Sequence, residues 1–146
     1  METNHIVSLV SRVRTQANSL IVAELEKRGH SGLAPSHGAI LHALAARGPL
    51  HMSALAEAIG KQKNTVTTLV NKLEQAGYVF KTPSPHDSRV TLVSLSAKAQ
   101  TAQPDFEAIS QTLLAAVWGD MPQAERETLV RGLEKVLRNI SLAAIS

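Results

Sequence analysis

The chain has 146 residues, of which 44% are hydrophobic and 3% are aromatic, so it can build a compact domain around an aliphatic core. Cysteine is absent, which excludes disulfides, thiolate metal sites and thiol redox switches and fits a cytoplasmic protein. No apolar run approaches the roughly 18 residues of a membrane span. The first residues also lack a basic segment ahead of an apolar one, so we expect neither a membrane span nor a signal peptide.

Two long helical patterns open the chain. Residues 4–28 keep an apolar stripe for about six turns, and a glycine-containing segment, residues 29–32, then interrupts it. Residues 33–47 predict a second helix, with Pro35 at its first helical position and the poor capping residue Ala34 before it. The side chains predicted to face inwards from this helix are Ala39, Ile40, Ala43 and Leu44.

Residues 51–96 predict two shorter helices followed by a two-stranded wing. The first helix ends at Gly60, where a left-handed cap is easiest, and the second ends at Gly77. Residues 78–81 and 90–93 are rich in strand formers, turn formers lie between them, and Leu50–His51 could add a third strand. The apolar stripes of the two helices are Ala54, Leu55, Ala58 and Ile59, and Val66, Leu69, Val70 and Leu73.

The outward face of the second short helix is polar and has no carboxylate before Glu74. Asn can pair with adenine, Thr offers a hydroxyl and a methyl group, and Lys meets phosphate oxygens; the alternative is an ordinary solvated face. Residues 61–90 hold five Lys and Arg against two Asp and Glu, a difference of +3 that equals the net charge of the chain. The face consists of Lys63, Asn64, Thr65, Thr67, Thr68, Asn71 and Lys72.

Two further helices are predicted after the wing. Ser96 would cap a helix from Ala97 to about Val117, and Pro104 inside it predicts a kink or a break near residues 100–103. Pro122 would open the last helix. The apolar stripes of the first and last helices would form a large exposed patch on a monomer, and dimerisation would bury it. The last stripe consists of Leu129, Val130, Leu133, Val136, Leu137 and Ile140.

The stretch LAEAIGKQKNTVTTLVNKLEQAGYV at residues 55–79, the motif Asp87-Ser88-Arg89 and the following Leu95-Ser96 resemble the MarR family of bacterial transcriptional regulators. The resemblance extends back over LAPSHGAILHAL at residues 33–44. It implies a mostly α fold with a small β-wing, a winged helix-turn-helix plus N- and C-terminal dimerisation helices. The implied domains are residues 1–32 and 96–146 for dimerisation and residues 33–95 for DNA binding.

The resemblance implies a repressor that binds a pseudo-palindromic operator in double-stranded DNA as a homodimer, with half-sites about 10 bp apart. It places residues 64–68 in a major groove and three lysines on phosphates. It also places Arg89 in the minor groove, oriented by Asp87, which would share its face on a strand. The expected DNA-binding residues are Gln62, Lys63, Asn64, Thr65, Thr67, Thr68, Lys72, Lys81, Asp87 and Arg89.

The resemblance further implies release by a small, aromatic or phenolic ligand in the cleft between the dimerisation helices and the DNA-binding domain. His37 is the candidate ligand-binding residue, because an imidazole there could bind a carboxylate or a phenol. His37 and His42 are five residues apart, which does not match a helical metal site, so we predict no metal and no cofactor. DNA release through a histidine-bound metal is one alternative.

Motifs for catalysis are absent from the sequence: it contains no G-x-S-x-G, no phosphate-binding Walker loop and no H-E-x-x-H. We therefore do not predict an enzyme. The main alternative to a DNA-binding regulator is a winged-helix module that binds a protein partner and does not touch DNA. Partner binding that is insensitive to salt would favour that alternative.

Overall fold

The computed structural model describes residues 1–145. Those residues form a mostly α fold with a small antiparallel sheet, which confirms the predicted fold class. The chain divides into two compact units, Met1–Gln111 and Thr112–Ser146. In chain order the elements are α1 (Ile6–Lys27), α2 (Pro35–Arg47), β1 (Leu50–His51), α3 (Met52–Ile59), α4 (Lys63–Gln75), β2 (Val79–Pro83), β3 (Thr91–Leu95), α5 (Ala97–Trp118) and α6 (Gln123–Ile145).

The core of the first unit is aliphatic, as the composition predicted. Its fully buried side chains come from α2, α3, α4 and β3, and each contributes about 1.5–3 kcal/mol relative to an exposed position. In α2 the inward prediction was wrong for Ala39, which is exposed, whereas Leu41 is buried. The buried positions of α2 are 37, 40, 41, 43 and 44, so Ala43 is buried as predicted. Positions 37, 40, 41 and 44 have the i, i+3, i+4, i+7 spacing of one helical face, and residue 39 lies off that face.

Two glycines in the left-handed region end the two helices of the helix-turn-helix. Gly60, at φ 67° and ψ 35°, ends α3 as predicted, and a short turn leads into α4. Gly77, at φ 87°, follows α4 and turns the chain into β2. A residue with a Cβ would be strained at either angle, so these glycines fix the angle of α4 to its neighbours.

The sheet has the strand order β1-β3-β2, and both pairings are antiparallel. Val93 in the middle of β3 is fully buried and lies opposite Leu50 on one side and Lys81 on the other. The predicted third strand, Leu50–His51, is thus present. The other two strands begin one residue later and end two residues later than predicted, a difference typical of boundaries read from a pattern.

Helix α5 begins with the predicted cap, since the Ala99 backbone N–H donates to Ser96 Oγ at 3.3 Å. The alternative of a break at Pro104 was wrong, because the helix continues through it to Trp118. Pro104 is exposed, whereas Ala99, Ala102 and Ile109 bury the opposite face of the helix. The packing of that face offsets the hydrogen bond that proline cannot make.

Helices α1 and α6 each carry exposed apolar stripes. In the first unit, the stripe on α1 includes Ile6, Val7, Leu9, Val10 and Val13. In the second unit, α6 begins directly after Pro122, and its exposed stripe is the predicted set from Leu129 to Ile140. Within residues 1–145, none of the helices combines the length and the apolar character that crossing a membrane requires.

Candidate nucleic-acid interface

Helix α4 presents a polar face on the side opposite the core. Val66, Val70 and Leu73 have no exposed surface, so they fix the rotation of the helix about its axis. At roughly 100° per residue, the positions most nearly opposite this stripe are Asn64, Thr68, Asn71 and Gln75. All four are exposed, and together they form the outermost line of the helix.

The hydroxyl protons of two threonines on this face are already engaged. Thr67 Oγ1 donates to the Lys63 carbonyl oxygen at 2.9 Å, and Thr68 Oγ1 donates to the Asn64 carbonyl oxygen at 3.2 Å. Each hydroxyl therefore has lone pairs left for an outside donor, beside the threonine methyl group. These groups match the amino groups of adenine and cytosine and the methyl group of thymine in a major groove.

The N-terminus of α4 is open to an anion. Lys63, Asn64 and Thr65 are exposed in its first turn, which holds no acidic residue. Within the described part of the chain, the exposed Gln62 side chain makes no capping hydrogen bond to this turn. The first backbone N–H groups and the positive end of the helix dipole therefore face outwards, an arrangement that suits a phosphate.

Lys81 on β2 is held by two residues of α4. Its Nζ donates to Asn71 Oδ1 at 2.7 Å and lies 3.3 Å from Glu74 Oε1. The Lys81 side chain is 30% exposed, so it lies at the edge of the polar face and not beyond it. These contacts connect the wing to α4, and the sequence analysis did not find them.

Asp87 and Arg89 pair at the tip of the wing, but in a turn before β3 and not on a strand. The prediction that a strand would bring them to one face was therefore wrong in its geometry. Asp87 Oδ1 accepts hydrogen bonds from Arg89 N and Nε, and Oδ2 accepts one from a terminal nitrogen, each at 3.1 Å. These bonds with Arg89 hold the pKa of the Asp87 carboxyl below its usual range. The Arg89 side chain is 87% exposed, so its guanidinium projects from the wing.

His37 is buried at the start of α2, where it supplies the cap that Ala34 lacks. The Ala34 backbone N–H donates to His37 Nδ1 at 2.8 Å. Among residues 1–145, the buried Nε2 atom of His37 has no hydrogen-bond partner. Burial, and then the nearby Lys72 ammonium, lower the pKa of His37. Because Nδ1 accepts the bond from the Ala34 N–H, the neutral imidazole carries its proton on Nε2.

Sequence reasoning missed a polar cluster in which the buried His30 and Tyr78 meet Asp105, whose partly exposed carboxylate also accepts from Arg28 at 3.3 Å. His30 Nδ1 lies 2.7 Å from the Tyr78 hydroxyl, and His30 Nε2 lies 3.0 Å from Asp105 Oδ2. The cluster joins the segment after α1 to α5 and to the residue before β2. Its members are 48 and 75 residues apart in the chain, so no local pattern could bring them together. In the described residues, no group of three or more His, Asp or Glu side chains is arranged to hold a metal ion.

Known proteins are similar to the part of the chain that holds α4 and the wing. A family model described as "MarR family" matches residues 31–90, from the segment before α2 to the wing tip. The transcriptional regulator SarZ of Staphylococcus haemolyticus is 28% identical over 90 residues, which is 62% of this chain and 60% of SarZ. The match thus spans less than two thirds of that relative.

Solved structures extend the likeness over nearly the whole fold. A probable transcriptional regulator from Pseudomonas aeruginosa superposes with a TM-score of 0.80 at 25% identity, covering 92% of this chain and 97% of that one. A mutant of Escherichia coli MarR complexed with operator DNA has a TM-score of 0.80 at 18% identity, covering 94% and 99%. Residues 31–90 are thus similar to the MarR family, and the fold of the chain is shared with these solved structures.

The expected DNA-binding residues lie in two places. Residues 62–72 lie along α4, and Asp87 and Arg89 lie at the wing tip. Lys81 lies between them, bonded to Asn71. Asn71 was on the predicted face but not among the expected DNA-binding residues. Its side chain is exposed, as are those of Asn64 and Thr68 on the same face.

Proposed function

We propose that this protein is a DNA-binding transcriptional repressor that acts as a homodimer on an inverted-repeat operator. The observation that carries the proposal is the exposed face of α4, which offers Asn, Thr and Lys side chains and no carboxylate before Glu74. A solvated helix usually mixes both signs of charge, whereas this face suits phosphates and base edges. The likeness to operator-bound E. coli MarR supports the same assignment.

In this proposal α4 enters a major groove. Asn64, Thr65, Thr67 and Thr68 face the bases, while Gln62, Lys63 and Lys72 lie on the flanks, where phosphates run. Arg89 reaches from the wing into the adjacent minor groove, where the narrow groove concentrates negative potential, and Asp87 orients its guanidinium. Lys81 differs from the other two lysines because Asn71 and Glu74 already hold its ammonium group.

A second copy of the chain would cover the exposed apolar stripes of α1 and α6. Exposed stripes of this length are uncommon on monomers, and burying them stabilises an obligate dimer. A two-fold axis would place the two α4 helices about one DNA turn apart, so the half-sites should be centred about 10 bp apart. Sedimentation equilibrium would show a dimer; a monomer at micromolar concentration would contradict this assembly.

We further propose that a small aromatic or phenolic ligand releases the protein from DNA by favouring a different spacing of the two α4 helices. The unpaired Nε2–H of His37 is the candidate donor to such a ligand. Benzoate and phenol are suitable probes in titrations of preformed protein–DNA complexes. If His37→Ala leaves those titrations unchanged, His37 takes no part.

The experiment that tests the proposed function is selection from a random duplex pool at two salt concentrations. We expect an enriched inverted repeat and a steep loss of affinity with salt, because phosphate contacts release counterions. Thr68→Glu should abolish the enrichment by placing a carboxylate in the centre of the face. Thr128→Glu is the matched control, since Thr128 is also exposed and also bonds back one turn, to the Ala124 carbonyl oxygen. No enrichment by a confirmed dimer would favour the protein-interaction module.

A further inference from the structure

The amide of Asn71 can take one orientation beside Lys81. Lys81 Nζ donates to the Asn71 side chain at 2.7 Å. An ammonium group has donors and no acceptor, so the atom facing it must be the carbonyl oxygen Oδ1 and not the nitrogen. The Asn71 NH₂ group is therefore the end that is left for a partner outside the protein.

Glu74 keeps Lys81 in this position. Its Oε1 lies 3.3 Å from Lys81 Nζ, so the ammonium group is shared between two residues three positions apart on α4. The backbone of Lys81 is also fixed, because it pairs with the fully buried Val93 in the sheet. The contact between Lys81 and Asn71 is therefore built from two anchored elements.

The four bases differ in how well they can bond an asparagine that presents its NH₂ group. Reading adenine with two bonds requires Oδ1 to accept from N6 while the NH₂ group donates to N7. Guanine presents two acceptors, N7 and O6, and thymine presents one, O4, whereas cytosine presents a donor. Lys81 takes one of the two lone pairs of Oδ1 and holds that atom towards β2, so the NH₂ group is the end that meets the bases. An NH₂ group fits guanine best, adenine and thymine less well, and cytosine worst.

We propose that Lys81, held by Glu74, is a positioning residue that keeps Oδ1 of Asn71 turned towards β2, so that Asn71 reads the bases through its NH₂ group and each half-site carries guanine where Asn71 meets them. This inference rests on the proposed function, because it requires α4 to lie in a major groove. It assigns Lys81 a different role from a phosphate contact. In the phosphate role the Lys81 ammonium leaves Asn71 on binding, and Asn71 is then free to read adenine.

The test uses the selected operator and quantitative binding to its single-base variants. Asn71→Ala first identifies the half-site position at which base discrimination is lost. At that position the unmodified protein should prefer guanine over adenine by roughly tenfold, the order expected for one good base contact. Lys81→Met keeps the aliphatic stem and removes the donors, so the Asn71 amide is free to turn both Oδ1 and its NH₂ group to adenine and to read it with two bonds. The preference should then fall to parity or reverse.

Lys72→Met is the matched control, because it removes a cation from the same helix. We expect it to weaken binding to all sequences alike and to lower the slope of log K against log salt by about one per protomer, with base preference unchanged. An unchanged base preference in Lys81→Met overturns the inference, as does an Asn71→Ala variant that loses no discrimination. Failure of the unmodified protein to select any site would instead refute the proposed function itself. Circular dichroism melting of each variant establishes that the compared proteins are folded.

Discussion

Two equally exposed carboxylates of the first unit, Asp87 and Asp105, bond basic side chains that differ in burial; Asp105 also pairs with Arg28. Asp87 and Arg89 are two residues apart at the wing tip, where the Arg89 side chain is 87% exposed. Asp105 and His30 are 75 residues apart, and the His30 side chain is 10% exposed. In both pairs the hydrogen bonds from the basic partner are the largest cause of the lowered pKa of the carboxyl group.

Burial separates the roles that similar chemistry can have. Water and salt screen the wing pair, so Arg89 can exchange Asp87 for a phosphate or a base at little cost to the fold. His30 also bonds the buried Tyr78 hydroxyl, and a change of partner there would leave a buried polar group unpaired. The first pair is therefore suited to binding and the second to holding α5 beside the start of β2.

Removing the buried imidazole should have the largest effect on stability. His30→Ala deletes both hydrogen bonds and leaves a cavity beside Phe106, whose ring lies 5.0 Å from that of His30. We expect a loss of about 2–3 kcal/mol in the free energy of unfolding, from the unpaired hydroxyl and the lost packing. Urea unfolding measures it. His42→Ala, at an exposed position of α2, is the control; equal losses in both variants would show that the cluster does not stabilise the fold.

Local periodicity predicted most of the fold, because helices and strands are short-range features. The stripe Val66, Val70 and Leu73 predicted helix α4 and its buried face. The residues outside the stripe then gave the polar face. The apolar pattern of α2 gave the wrong position for Ala39, which is exposed. Alanines occur on both the buried and the exposed sides of this helix, so their spacing does not separate the two. The sequence also allowed a break at Pro104 that the helix does not show, because packing of the opposite face of α5 decides that outcome.

The candidate site was predictable where its residues are neighbours in the chain. Residues 62–72 and the pair Asp87 and Arg89 were found in this way, although the turn that brings the pair together was not. The bond from Lys81 to Asn71 depends on how β2 lies against α4. The contacts of His30 depend on α5, and neither arrangement can be read from spacing along the chain.

Removing the exposed guanidinium should change DNA binding and leave stability nearly unchanged. Arg89→Ala should weaken operator binding by about tenfold and lower the salt slope by about one per protomer, because a cation leaves the DNA. Asp87→Asn, which keeps Arg89 but weakens its orientation, should have a smaller effect on affinity and none on the slope. Fluorescence anisotropy across a salt series measures both quantities. An Arg89→Ala slope equal to that of the unmodified protein would remove the wing tip from the interface.

His37 combines features of the two pairs, since it is buried and one of its two ring nitrogens is bonded. Burial and Lys72 lower its pKa from the ordinary value of 6.5, so the folded protein keeps the imidazole neutral to a lower pH than the unfolded chain does. Well above pH 6.5 neither state binds the proton and the stabilisation is fully present. As the pH falls below 6.5 the unfolded state takes up the proton first, and stability is lost.

His37→Gln should reduce that loss, which we expect to be the smallest of these effects. Glutamine at the third helical position can accept the Ala34 N–H, as in a capping box, and it does not titrate. Melting temperatures between about pH 7 and pH 5, a range centred near the ordinary histidine pKa, should therefore fall less steeply for His37→Gln than for the unmodified protein. His42→Gln removes a histidine from an exposed position of the same helix and should follow the unmodified curve. Parallel curves for all three proteins would contradict this prediction. They would mean that protonating the His37 imidazole does not change the stability of the fold.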